Sequence, residues 1–317
     1  MHTELSLSHT KFRHLILMQH LVEFGNLHKA AKHLSISQPA ASTMLREFEK
    51  QLGLTLFLRT TQGVIPTEAA TLLANRAGTI LNEFDALVHE VKRLNQNLSP
   101  LLRVGVVPQA LFAFLPGAIE QFREAHGGAV SIQEGTAKHL LLQLFEGKLD
   151  CVIGRLAGAA MPSMHNTDEL IFFPLYSESI CIVEGTKEAK KRKIVFEDLA
   201  KRDWVLPRAD SSLRQQLTDS FLRRGLMLPE PVIETTNYFQ SLTMLSGSNL
   251  CSVIPLSAAD MHVKLGNIRI IDIPSDLKPM PVSFILRASA KDNTQVIKFR
   301  KIFTDLTAGI SQTALHH

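Results

Sequence analysis

Between Leu27 and Gly53 the chain reads LHKAAKHLSISQPAASTMLREFEKQLG. In that stretch Ser37, Gln38, Pro39, Ser42, Thr43 and Arg46 stand where a helix built for stability alone would carry Ala, Leu, Glu and Lys. The chemistry these residue types offer is hydrogen-bonded recognition. An arginine grips guanine through two bonds, a glutamine grips adenine, and hydroxyls serve base edges or phosphates. Bond-making chemistry has no comparable signature. The chain has no GxSxG, no GxxxxGK[ST] and no GxGxxG after a strand, and His28 and His33, five apart, point about 140° apart on a helix, unlike an i,i+4 metal pair. Neither a metal nor a cofactor is expected.

Those polar residues need elements to hold them. Leu27, Ala30, Ala31 and Leu34 suit a short helix that another can cross closely, and Ser35 to Ser37 form a turn. Ser37 is a good N-cap and Pro39 fits only a first helical turn, so a second helix begins at about Gln38. Ala41, Leu45, Phe48 and Leu52 share one face of it, while Pro39, Ser42, Thr43 and Arg46 share the opposite face. This is the layout of a helix-turn-helix that lays its second helix in the major groove of DNA; the plain alternative is a helical hairpin with a solvated polar face. The following LGLTLFLRTTQGVIPTEAA, Leu52 to Ala70, reads as two short strands around a turn, with Arg59 at the base and Gln62 near the tip, a wing suited to the minor groove.

From Thr67 the text changes. Leu73, Ala77, Ile80, Phe84, Leu87, Val91 and Leu94 alternate spacings of four and three, the seam of a two-stranded coiled coil, and polar residues surround it. The expectation is a homodimer that presents two recognition helices to two half-sites; a helix buried against its own domain is the alternative. NQNLSP, Asn95 to Pro100, reads as a linker.

Beyond it, LLRVGVVP (Leu101 to Pro108), AVSIQEG (Ala129 to Gly135) and LDCVIGR (Leu149 to Arg155) are strands separated by amphipathic helices, a parallel βαβαβ unit. A second unit of this kind is expected from SICIVEG (Ser179 to Gly185), WVLP, PVIET and LCSVIP, before MPVSFILRAS (Met280 to Ser289) and a helix over Asp292 to Leu306 return the chain to the first. Two sheets joined by two crossings make a hinged clamp. The domains expected are a winged helix-turn-helix over 1–66, a linker and dimerisation helix over 67–98, and an α/β domain over 99–317. The last divides into subdomain I (101–178 and 280–306) and subdomain II (179–279). Ligands in such sheets sit at the carboxyl ends of the strands, where helix N-termini attract anions. Pro108, Gln109, Thr136, Ser211 and Ser212 stand at such loops, with Asn237 beside them and Arg155 as a countercharge.

Composition agrees. The 317 residues are 45% hydrophobic and 20% charged, with net charge +4 and pI near 9.0, which permits contact with a polyanion without requiring it. The chain has no apolar run of about 20 residues and no basic-then-apolar leader, so a cytoplasmic protein without membrane contact is expected. Cys151, Cys181 and Cys251 are far apart and form no CxxC.

The N-terminal pattern resembles that of the LysR-type transcriptional regulators. Ala30, Ala31, Leu34, Ser37, Gln38, Pro39, Ala40, Ser42, Leu45, Glu49, Leu52, Gly53, Leu56, Phe57, Arg59, Gly63, Thr67 and Ala69 match it at fixed spacing. Thr43 and Gln62 stand where the family often has basic residues, and Pro66 where it often has Leu. DCVIGRL, PLYSESICIV and LPRADSSLR look like the branch that includes regulators of protocatechuate breakdown and of a sugar-binding protein. The resemblance implies a winged helix-turn-helix, a coiled-coil linker helix and an effector domain of two periplasmic-binding-protein-like subdomains. It also implies double-stranded operator DNA as partner, assembly as a homodimer or homotetramer, and a small effector, an organic acid or sugar-derived metabolite, held among the loops named above. Two other readings are weighed with it: a redox-responsive regulator using Cys151 or Cys181, and a solute-binding protein without DNA function.

Overall fold

The computed structural model describes residues 10–107, 114–154, 169–187, 194–235, 238–273 and 276–308. They fall into two compact units, the described residues up to 100 together with 142–149, and the remaining described residues.

The first unit opens with helices α1 (Phe12–Phe24), α2 (Leu27–His33) and α3 (Gln38–Leu52). Each boundary has a local cause. Gly25 ends α1 in the left-handed region (φ 59°), and the Asn26 side chain accepts from Lys29 N–H at 3.0 Å to start α2. Ser35 turns the chain at φ 56°, and Ser37 Oγ accepts from Ala40 N–H at 3.3 Å with Pro39 in the first turn of α3. These are the expected N-cap and the expected proline position. Strands β1 (Phe57–Thr60) and β2 (Gly63–Pro66) pair antiparallel as a wing. Thr67 then caps the 28-residue α4 (Glu68–Asn95) by accepting from Ala70 N–H, while its own hydroxyl donates to Leu56 O.

The core of this unit gathers Leu17, Met18 and Leu21 of α1, Ala30 and Ala31 of α2, Ala41, Leu45 and Phe48 of α3, and Ala70, Ala74 and Ala77 of α4. The small residues let the helix axes approach, as expected for α2. The α4 stripe needs a correction. Ala77 is 2% exposed and Leu73 packs on the same core, so the first two seam positions belong to their own domain. From Ile80 onward the stripe is open.

In the second unit a five-stranded sheet has the order β4-β3-β5-β12-β6. Its strands are β3 (Leu101–Val106), β4 (Ala129–Glu134), β5 (Cys151–Gly154), β6 (Leu170–Glu178) and β12 (Met280–Arg287). Strand β3 runs parallel to β4 and β5, joined through helices α5 (Leu115–His126) and α6 (Ala137–Phe145), as the sequence predicts. β12 enters antiparallel to both β5 and β6.

In the other half of the unit one strand, β7, departs from expectation. Strand β7 (Ile180–Gly185) pairs antiparallel with β10 (Cys251–Pro255) and β11 (Ile268–Ile270). Among the described residues β8 (Val205–Pro207) and β9 (Ile233–Thr235) pair parallel around α7 (Ser212–Arg223), and a parallel bridge joins Trp204, just before β8, to Cys251 of β10, so these three strands keep the expected direction. β6 leads into β7 across the single residue Ser179, and the two strands lie in different sheets, so the chain passes from the first sheet to the second here without a crossover helix. Strands β10 and β11, joined by α9 (Leu256–Lys264), still run in one direction on either side of β7, and α8 (Tyr238–Leu245) leads into β10. The chain closes with α10 (Thr294–Ala308) on the first sheet. Trp204 is fully buried, its indole N–H donating to Leu199 O at 3.0 Å.

Candidate functional site

The polar face of α3 is displayed as its spacing predicts. Ser37, Gln38, Pro39, Thr43 and Arg46 are exposed and Ser42 is half-buried, while Ala41, Leu45 and Phe48 of the opposite face are buried. The wing folds toward that face: a guanidinium N–H of Arg59, on β1, donates to Ser42 Oγ at 2.9 Å. Arg46 donates to Ser42 O at 3.3 Å and to Thr43 Oγ1 at 3.4 Å. Ser42, Thr43, Arg46 and Arg59 therefore form one surface cluster, and Gln62 is exposed at the wing's tip. Both arginines rest on neutral acceptors, through bonds of ordinary or long length that a nucleic acid can replace. Residues 10–66 carry seven Lys and Arg against three Glu.

One positioning residue, Glu49, is marked in the sequence by its match to the family pattern, but its role shows only in the structure. A single carboxylate oxygen of Glu49 accepts from Leu56 N–H at 2.7 Å and Phe57 N–H at 3.1 Å, fixing the chain where it leaves the helix for the wing. At the other side, Val64 N–H donates to Gly25 O at 2.9 Å, and Gly63 sits at φ 143° with no room for a Cβ, which would lie 2.3 Å from Gly25 O. Wing and helices thus form one body.

On α4 the remaining seam residues Ile80, Phe84, Leu87, Val91 and Leu94 are between 45% and 60% exposed, a continuous apolar line on an otherwise polar helix. The Phe84 ring meets Phe12 of α1 at 4.6 Å. Such a line is larger than scattered surface apolar residues account for.

Of the residues proposed for the clamp, Thr136, Ser211 and Ser212 are described; Pro108, Gln109, Arg155 and Asn237 lie outside the described residues. Thr136 Oγ1 accepts from His139 N–H at 3.3 Å in the first turn of α6. Ser211 is the N-cap of α7, with its hydroxyl not engaged in capping, and Ser212 is the first helical residue. Arg214, which sequence reading passes over, is largely covered and donates to Pro207 O at 3.3 Å and Glu234 at 2.8 Å, tying β8, β9 and the start of α7 together. Burial pushes the Cys151 thiol well up, and pushes the Cys181 and Cys251 thiols up to about 12. That is the opposite of the depressed thiol of a redox sensor. Among the described residues no group of His, Cys, Asp and Glu could hold a metal ion, and no helix is long and apolar enough to cross a membrane.

A winged helix-turn-helix with an exposed, cationic recognition face, carried on one chain with a two-sheet α/β clamp, defines a DNA-binding transcriptional regulator with a ligand-binding domain. Residues 12–71 match the bacterial regulatory helix-turn-helix protein, lysR family, and residues 95–308 match the LysR substrate binding domain. The chain belongs to the LysR family. It is 26% identical over 297 residues to the HTH-type transcriptional regulator TdcA of Escherichia coli K12, covering 93% of this chain and 92% of that one. It is 30% identical over 265 residues to the HTH-type transcriptional regulator GbpR of Azospirillum brasilense, covering 82% and 76%. Full-length CbnR, solved in complex with its target DNA, superposes with a TM-score of 0.62 at 19% identity over 94% of this chain and 100% of that one, which shows the shared fold.

Proposed function

We propose that the protein binds operator DNA as a homodimer, with dimers paired into tetramers, and adjusts that binding when its clamp takes up a small anionic effector. The observation that carries the DNA reading is the cluster of Ser42, Thr43, Arg46 and Arg59, two guanidinium groups parked on neutral acceptors beside an exposed helix N-terminus. In this reading Gln38, Ser42, Thr43 and Arg46 face base edges, Ser37 and Pro39 set the depth of entry, and Arg59 and Gln62 follow the adjacent minor groove. The open stripe from Ile80 to Leu94 supplies the dimer seam, so two recognition helices read an approximately symmetric site. The protein acts in the cytoplasm, where its operator is.

The effector is an organic acid or a sugar-derived metabolite held by Pro108, Gln109, Thr136, Ser211, Ser212 and Asn237, with Arg155 as countercharge. Hydroxyls and backbone N–H groups at the starts of α6 and α7 support an anion there. To regulate, the effector must bind two arrangements of the clamp unequally, because equal affinity shifts no equilibrium. Selection of bound fragments from random duplex DNA with the full chain tests the first half. Enrichment of a motif with two related half-sites is expected; recovery of no shared motif contradicts it. Calorimetry of the full chain against aromatic and sugar acids, with Thr136→Val and Ser211→Ala alongside, tests the second. A ligand that binds tightly and is indifferent to both changes places the cleft elsewhere.

A further inference from the structure

Beside the recognition helix runs a groove of about 480 Å³ between the start of α1 and the flank of α3. Lys11 and Arg13 form one wall; Pro39, Ala40, Thr43 and, farther along, Glu47 form the other. We propose that this groove seats one strand of the operator's sugar-phosphate backbone, with Lys11 and Arg13 as its phosphate ligands. The proposal rests on the DNA-binding reading above and adds a site to it.

Three observations support it. First, Lys11 and Arg13 are exposed, and among the described residues neither is in an ion pair. In the second unit, by contrast, Arg103, Arg202, Arg214, Arg223, Arg224 and Arg269 all sit on carboxylates. Unneutralised cations are what a polyanion needs. Second, the groove shares Pro39 and Thr43 with the exposed recognition face of α3. A helix lying in the major groove has a phosphate strand along each flank, and this groove is the flank on the α1 side. Third, the cationic wall is held in place. His14, buried in the groove floor, accepts from Lys11 N–H through Nδ1 at 3.2 Å, and its ring stacks on Phe48 of α3 at 5.3 Å. The start of α1 is thereby keyed to the recognition helix. Glu47 is the one carboxylate in the groove. It stands seven residues beyond Ala40, about 10 Å along the helix from the N-terminal end that enters DNA, and it limits how far the phosphates can extend.

The test is the salt dependence of DNA binding by the full chain, on a fragment selected from random DNA and on an unrelated duplex of equal length, between about 50 and 200 mM salt. Each released phosphate contact removes about 0.9 from the slope of log affinity against log salt. Lys11→Ala and Arg13→Ala are each expected to lower the slope by about that amount per protomer on both duplexes and to leave the preference for the selected fragment unchanged. Arg13→Lys keeps the parent slope, which separates charge from damage to the fold. Lys50→Ala, at the far end of α3, is the charge-matched control and also keeps it. Slopes equal to the parent's for both alanine variants, or an equal loss from Lys50→Ala, overturn the groove while leaving the recognition face standing. Failure of the parent chain to bind any duplex removes both together.

Discussion

Glu49 provides the sharpest stability prediction, because one carboxylate oxygen serves two backbone donors. Leu56 is fully buried and Phe57 is 5% exposed, and their N–H groups reach Glu49 at 2.7 and 3.1 Å. Glu49→Ala deprives both of a charge-assisted acceptor. An unmade buried bond costs about 1–3 kcal/mol, and Glu49 is only half-buried, so water can restore part of one; the expected loss is about 2–4 kcal/mol. Glu49→Gln retains an oxygen in place and loses only the charge, about 1 kcal/mol. Amide exchange in the full chain reads the effect locally: residues 56–60 exchange faster in the alanine variant by the factor its free energy sets, while α10 is unaffected. Exchange at Leu56 and Phe57 unchanged from the parent would falsify the assignment of Glu49 as the wing's anchor.

Three further perturbations follow from the same geometry. Gly63→Ala forces a Cβ against Gly25 O at a backbone angle that side chains avoid, so urea denaturation is expected to show a loss of about 1–3 kcal/mol; parent-like stability contradicts the wing's packing. Phe84→Glu places a charge in the exposed stripe; in a lone chain it costs only the ring contact with Phe12, but if a partner helix covers it the cost is several kcal/mol. Sedimentation should then show a smaller species with intact secondary structure, and an unchanged assembly argues against the seam. Burial holds the His14 imidazole below its ordinary range, helped by Lys11 and opposed by Glu47. The unfolded chain therefore takes up the proton first, and stability from this group is full above about pH 6.5 and falls as pH drops toward the lowered folded value. A His14→Gln chain should lose that acid slope in a denaturation series, and an identical slope sinks the linkage.

The head was legible because its signals are local. Ser37, Pro39, Gly53 and Thr67 act within one turn of where they stand, and the α3 periodicity separates buried Ala41, Leu45 and Phe48 from exposed Thr43 and Arg46 without reference to the rest of the chain. The heptad stripe was less complete a guide. Spacing alone does not distinguish Ala77, which fills its own domain's core, from Phe84, which does not. Sheet topology was harder still. β6 carries Pro174, which reads as a strand breaker, yet β6 is the sheet's edge strand, where a missing N–H is tolerated. The three-residue β11 is too short to show a period, and the antiparallel placement of β7 depends on partners about 70 and 85 residues away, a distance over which no sequence pattern speaks. The roles of Glu49 and Arg214 are hidden for a related reason, since they exist only once neighbouring elements bring Leu56 and Phe57 N–H to the one and the Glu234 carboxylate to the other.

The measurement that bears most directly on the whole account is the affinity of Arg46→Ala for a fragment selected by the parent chain, set against an unrelated duplex at the same salt. If Arg46 leaves Ser42 O and Thr43 Oγ1 to grip a base, the variant loses about 1–3 kcal/mol, roughly 5- to 150-fold, on the selected fragment for each recognition helix and almost nothing on the unrelated one. Equal affinity of variant and parent for the selected fragment contradicts the assignment of α3 as the element that reads DNA.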